Sequence, residues 1–228
     1  MSSPPPSCPP LNILYRDEWM IAVDKPAGQL VHPIKQLEDG DLVTMKLLRD
    51  QIGQQVTPAH RLDRPTSGVL LFSLAQEVAH PLHKAFKNRE VEKTYWAVVD
   101  GLPDEEYWTC REPIRNDDDS PHRSAETDFR VLTPLGNALA LVEARPRTGR
   151  YHQIRRHLLH AGFPIVGDYR YAGIERSDEL GAALGTGTRM LLQAKSLRFI
   201  HPVTREEVLI DAPVDPLIRQ VCDGSHLL

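Results

Sequence analysis

Seven short apolar or alternating runs, at residues 20–23, 69–74, 91–99, 125–132, 139–144, 191–200 and 207–210, are interleaved with stretches of helical spacing, and this interleaving limits the fold most. Runs of that length rich in Val, Ile, Leu and Ala read as strands, whereas 42–52, 75–89 and 149–161 carry apolar residues three and four apart. In 75–89, Leu82 and Phe86 share a face while Lys84, Lys87 and Arg89 point to water; the 149–161 pattern is closed by Gly162 and Pro164, and a short helix is expected over 216–222. The connection between 125–132 and 139–144 is too short for a parallel crossover, so these two strands are expected to be antiparallel neighbours. The pattern as a whole predicts an α+β fold with several strands joined by short antiparallel connections.

The remaining chain bounds the organisation. Residues 2–10 are rich in Pro and Ser and offer little to bury, so residues 1–10 read as a disordered arm and 11–228 as one domain. The acidic, turn-rich stretch 102–123 reads as a loop or small excursion, with Asp117, Asp118 and Asp119 a solvated triplet, and 181–187 as a Gly-rich loop. No apolar run approaches the roughly 20 residues of a spanning helix, and residues 1–10 lack the blocks of a signal peptide, so a cytoplasmic protein away from membranes is expected. Cys8, Cys110 and Cys222 fit neither a disulfide framework nor a metal-binding pair and read as free thiols. His152, His157 and His160 fall close together, but without the spacing of a zinc site; no metal is expected.

The chemistry concentrates around His60-Arg61-Leu62-Asp63-Arg64-Pro65-Thr66-Ser67-Gly68. Asp63 stands between two arginines on a turn that feeds a buried strand. Flanking cations favour the ionised carboxylate, the state a nucleophile or general base needs. In an extended segment Arg61 and Asp63 point to the same side. The net charge of −4 is unlike that of most nucleic-acid binders, yet between Arg145 and His160 there are five arginines, three histidines and no acid. Arg145, Arg147, Arg150 and Arg156, with His152, are therefore candidate phosphate contacts.

With these residues in view the chain resembles the RluA family of RNA pseudouridine synthases. The resemblance runs from about residue 13 to 213 and rests on separated motifs in order: Asp24-Lys25-Pro26-Ala27-Gly28 with Val31-His32-Pro33, the His60 to Leu71 segment, Glu92-Lys93-Thr94-Tyr95, Thr148-Gly149-Arg150-Tyr151-His152-Gln153-Ile154-Arg155, and Pro164-Ile165-Val166-Gly167-Asp168. It implies a pseudouridine synthase-like fold, a mixed, largely antiparallel sheet with flanking helices and a central catalytic cleft, without an S4-like domain. It implies a cofactor-independent isomerase acting on RNA, with no obligate protein partner. Arg49 to Gln54, leading into the Asp63 segment, is most similar to a tRNA-modifying branch, which implies tRNA as partner and uridine 65 of its T-arm as target.

The resemblance assigns roles by position. Asp63 is the catalytic carboxylate, Arg155 its partner, and Tyr95 the ring that stacks on the target base and takes the C5 proton. Arg61 fills the gap left by the flipped nucleotide, and Leu191 and Leu192 support the pocket. Arg64 and Lys25 are further candidates for RNA contact, Lys25 being read as structural first. Gln193 departs from the family, which usually has histidine there. RluA-type action on ribosomal RNA or another tRNA site is the alternative within the family. A silent RNA-binding protein and a nucleosidase are alternatives from other classes; the second usually needs two cooperating carboxylates, and no second acid stands out.

Overall fold

The computed structural model describes residues 9–34, 36–38, 40–115, 120–136 and 138–224. In chain order the elements are β1 (Asn12–Arg16), β2 (Met20–Lys25), α1 (Thr44–Ile52), β3 (Thr57–Pro58), β4 (Ser67–Ser73), α2 (Gln76–Lys87), β5 (Glu92–Asp100), β6 (Tyr107–Cys110), β7 (Thr127–Leu135), β8 (Leu139–Pro146), α3 (Gln153–His160), α4 (Ile174–Ala183), β9 (Leu192–Ile200), β10 (Glu207–Asp211) and α5 (Pro216–Gly224). The strands form one ten-stranded sheet in the order β1-β2-β4-β9-β5-β8-β7-β6, with β3 beside β4 and β10 beside β9. Among the described strands every pairing is antiparallel except β4 with β9. The α+β reading and the β7–β8 pairing stand.

The central strands are apolar on both faces because both faces are covered. All seven residues of β4 are buried. Val69 and Leu71 pack with Val78 and Leu82 of α2, while Leu70 and Phe72 pack on the opposite side with Leu48 of α1 and with Leu62. In the other half of the sheet, Ala97 and Val99 of β5 meet Ile154 and Leu158 of α3, and Val98 meets Leu180 of α4 and Ile218 of α5.

The parallel contact is where the halves join. Ser67 and Gly68 of β4 pair with Gln193 and Ala194 of β9, and Ala194 is also the registered partner of Tyr95 on β5. Gly68 has φ +105°, and a Cβ there would lie 2.1 Å from the Ala194 carbonyl oxygen. Only glycine allows the two backbones to approach this closely. The crossing brings the loop before β4, with Asp63, next to the strand carrying Tyr95.

Several elements are absent from the sequence reading. β1 and β6 lie at the two ends of the strand order, half-exposed, so they lack a clean alternation. β6 lies inside the stretch read as a loop. The acidic residues 175–179 belong to α4, whose buried side is only Ser177, Leu180 and Gly181, too narrow a stripe to show as periodicity. α3 starts at Gln153 rather than 149, because His152 takes a left-handed conformation, φ 51° and ψ 33°, that ends the preceding turn. The Asp117–Asp119 triplet, Cys8 and most of the N-terminal arm lie outside the described residues.

Candidate active site

The Asp63 loop is held from below by its neighbours. The Leu71 N–H donates to His60 Nε2 at 3.1 Å, and the imidazole stacks on Phe86 with centroids 4.6 Å apart. Burial, with the Lys93 charge near, pushes His60 down to about 3, so the ring stays neutral and able to accept. Past the carboxylate, the Thr66 N–H donates to the Asp63 carbonyl at 3.0 Å and closes a turn. The Arg64 carbonyl accepts from the Gly28 N–H at 2.8 Å, while the Arg64 side chain donates to the Gly28 carbonyl and pairs with Asp41. The 24–28 motif thus clamps the far end of the loop.

Lys25 is the centre of that clamp. It is 0% exposed and donates from Nζ to the carbonyls of Pro26, Gln29 and Arg64 at 2.8, 2.9 and 3.2 Å. Burial, with Arg189 near, pushes it down to about 7, and against this stand three acceptors that only an ammonium can satisfy at once. No face of Lys25 is left for phosphate, so the RNA-contact reading gives way to the structural one.

Asp63 opens into a cleft of about 840 Å³, whose lining includes Arg61, Lys93, Tyr95, Ile154, Arg155 and Leu192. That is ample for a nucleotide. Arg155 Nη1 lies 3.4 Å from the Asp63 carboxylate, and His152 Nε2 lies 3.7 Å from the same oxygen. The expectation that flanking arginines depress Asp63 fails. Burial raises its pKa against the opposing Arg155 and Arg61, because Arg64 turns away to Asp41 and Arg155 spends two donors elsewhere. Those two donors, Nε and Nη2, grip both oxygens of buried Asp168 at 2.7 Å each.

Tyr95 faces the same cleft. Burial, then the nearby Asp63 charge, pushes its phenol well above the ordinary tyrosine value. An un-ionised phenol is a stacking face, not a resident base. His152 is held at about 3 by burial and by Arg155 and Arg170, so it is neutral, and its Nδ1 lies 3.0 Å from the Tyr171 hydroxyl.

The other sequence candidates separate. Leu192 lines the cleft, whereas adjacent Leu191 points to the opposite side of the sheet and packs with Val98, Val166 and Ile218. Arg61 is exposed at the cleft and has no side-chain partner among the described residues. Arg150 lines the cleft and donates to the Ser124 carbonyl at 3.1 Å. Arg145 pairs with Glu143, two residues earlier on the same strand, at 2.9 Å, and Arg147 pairs with Asp128 of the neighbouring strand at 2.7 Å, so both arginines already have acids beside them. Arg156 sits outside the cleft, donating to the Arg115 carbonyl at 2.7 Å. Both ring nitrogens of His157 are engaged, by Thr127 and the Glu112 carbonyl, and among the described residues no three His, Cys, Asp or Glu are grouped to hold a metal.

Sequence reasoning missed several members. Asp168 was visible only as the end of a motif, and Lys93 only as the neighbour of Tyr95. Lys93 lines the cleft and is pushed down to about 8 by burial and Arg89. Gln193, the departure from the family, donates to the Pro213 carbonyl and accepts from the Asp215 N–H, and Asp215 in turn accepts from Ser67 at 2.8 Å. The amide therefore ties the C-terminal segment to the strand that follows Asp63. No periodicity or spacing signals a contact of that sequence separation.

Comparisons with known proteins bear on the family and the fold. The family profile described as RNA pseudouridylate synthase matches residues 19–160. A protein of Vibrio vulnificus named tRNA pseudouridine synthase C is 40% identical, over 92% of this chain and 94% of the relative. A Haemophilus influenzae protein of the same name is 40% identical, over 92% and 96%. Among solved structures, human RNA pseudouridylate synthase domain containing 1 superimposes with a TM-score of 0.75 at 28% identity, covering 94% of this chain and 87% of that one. Human RNA pseudouridylate synthase domain containing 4 gives 0.75 at 27%, covering 94% and 93%.

Proposed function

This chain belongs to the RNA pseudouridylate synthase family and is an isomerase of uridine in RNA, and from that premise we propose that it acts on tRNA, at uridine 65 of the T-arm, through Asp63. Two relatives named for tRNA, each matched nearly end to end, support the substrate. One observation carries the catalytic role: Asp63 is the carboxylate of the cleft, with Arg155 at 3.4 Å and Tyr95 in the same lining.

The reaction breaks the C1′–N1 bond, turns the base, forms C1′–C5 and moves the C5 proton to N1. No electrons are gained or lost, and no cofactor is proposed. An ionised Asp63 serves either as nucleophile toward sugar or base, or as base toward a sugar proton. Arg155, locked by Asp168, aims one N–H at the carboxylate and keeps a cation beside it. Neutral Tyr95 offers a flat face to the uracil. Its high pKa favours stacking over the C5 proton transfer expected from sequence. Residues 11–228 are taken as one catalytic domain working in the cytoplasm, without an obligate protein partner; among the described residues no helix is long and apolar enough to cross a membrane.

The test is incubation of wild type and Asp63→Ala with unmodified tRNA transcripts, without added metal or nucleotide, followed by mapping of pseudouridine. Product at one T-arm position that vanishes with the variant is expected. Product in ribosomal RNA but not tRNA would overturn the substrate. Released uracil, or tight binding with no product in either RNA, would overturn the reaction.

A further inference from the structure

The cleft is not the only recess that reaches Asp63. A second, of about 370 Å³, shares Arg61, His152 and Arg155 with it and adds His32, Arg64 and Arg170. Its cations are not equivalent. Arg64 is neutralised by Asp41 at 2.7 Å and Arg155 by Asp168 at 2.7 Å. Arg170 has no carboxylate partner among the described residues. It is exposed, donates from Nη1 to the Tyr151 hydroxyl at 3.1 Å, and holds its guanidinium 5.7 Å from the Tyr151 ring centroid and 5.8 Å from that of Tyr171.

Tyr151 stacks on His152 with centroids 3.7 Å apart and planes 22° from parallel, and His152 lies beside Asp63. The Arg170 guanidinium is therefore oriented toward the surroundings of the Asp63 carboxylate through two stacked rings. A guanidinium held by aromatic contacts, with no counter-ion, retains its remaining donors for a planar or tetrahedral anion at little ordering cost. A uridine in a polymer enters the main cleft with a phosphate on either side of it, so an anion must lie near the mouth.

We propose that the second recess is a phosphate subsite, in which Arg170, fixed by Tyr151, binds one backbone phosphate adjoining the reacting uridine. The proposal rests on the reading of the chain as an RNA pseudouridine synthase. It makes Arg170 a substrate-binding residue, where the linear basic run from Arg145 to His160 pointed elsewhere.

The experiment measures equilibrium binding of a T-arm stem-loop oligoribonucleotide to wild type, Arg170→Gln and Arg170→Lys across a range of salt. Arg170→Gln is expected to weaken binding about tenfold and to lower the slope of log affinity on log salt by roughly 0.7–0.9, the share of one phosphate contact. Arg170→Lys is expected to restore the slope. In wild type, a neutral methylphosphonate at one of the two phosphates flanking the target uridine should cost the same as Arg170→Gln, and in that variant should cost nothing further. An unchanged slope, a slope that Lys does not restore, or losses that add at both positions would overturn the subsite. Pseudouridine formation, read separately on the same oligonucleotide, distinguishes this failure from that of the activity: wild type that binds without making product sinks the activity alone.

Discussion

Arg155 grips both carboxylate oxygens of Asp168 at 2.7 Å and reaches Asp63 with its remaining terminal nitrogen at 3.4 Å. Asp168 is 1% exposed, so the pair is buried and fully committed. It acts as a bracket that sets where the third donor points. Asp168→Asn keeps the shape but removes the charge. It should lower kcat about 100-fold while leaving the KM for RNA within about threefold, and destabilise the protein by roughly 3 kcal/mol. Equal losses in kcat and affinity would show that Asp168 acts on binding instead.

Asp63 titrates above the ordinary carboxylate value because burial outweighs Arg155. Activity that needs the ionised form should be lost on acidification at a pH higher than a free aspartate would give. In Arg155→Met, which removes the opposing cation, the acid limb of kcat/KM should move further up in pH. A limb that stays in place would mean Arg155 does not hold the ionised form.

Gly68 should be irreplaceable for steric reasons alone. Gly68→Ala puts a Cβ 2.1 Å from the Ala194 carbonyl oxygen at a φ of +105°. The expected loss is at least roughly 3 kcal/mol, a fall in Tm of about 6–12 °C for a chain of this size. Thermal unfolding of Gly68→Ala beside Gly149→Ala, where a Cβ meets nothing within 4 Å, checks it.

His60 and His152 should make the fold acid-sensitive. Each is held at about 3, below the ordinary histidine value of 6.5. Between those values the unfolded chain binds protons that the folded one refuses, so stability rises with pH there and is lost as pH falls from 6.5 toward 3. For partly buried His60 alone the loss is on the order of 2–4 kcal/mol by pH 4. His60→Gln, which still offers an acceptor to Leu71, should flatten the dependence of Tm on pH over this range; an unchanged slope would contradict the assignment.

Arg61, unpartnered at the cleft, should matter most when the target must leave a stack. Arg61→Ala should reduce turnover on a folded stem-loop roughly tenfold more than on an unstructured oligomer, since flipping costs a few kcal/mol only in the first. Equal losses on both would assign Arg61 to general phosphate contact.

The contrast between Leu191 and Leu192 shows where sequence ran out. Both are apolar neighbours in one motif, yet one faces the cleft and the other the far core, a choice made by the register of β9 against β5. Lys25 and Arg64 read as candidates for RNA contact, Lys25 as structural first, and are the two sides of a backbone clamp. Arg147 read as part of a basic patch and is paired across strands with Asp128. In each case the deciding partner lies on another element or strand.

What the chain determined by itself was local: strand or helix period, the turn at Thr66 to Gly68, and a carboxylate among motifs whose order marks the family. Those properties depend on residues within a few positions of each other, where backbone geometry and side-chain type suffice. The tertiary structure decided everything that depends on approach: the parallel contact of β4 with β9 that sets Asp63 beside Tyr95, the Asp168 bracket on Arg155, and a rise rather than a fall in the Asp63 pKa. The reason is physical, since desolvation and ion pairing depend on distance in space, and packing alone fixes which charges meet and which stay free for a ligand.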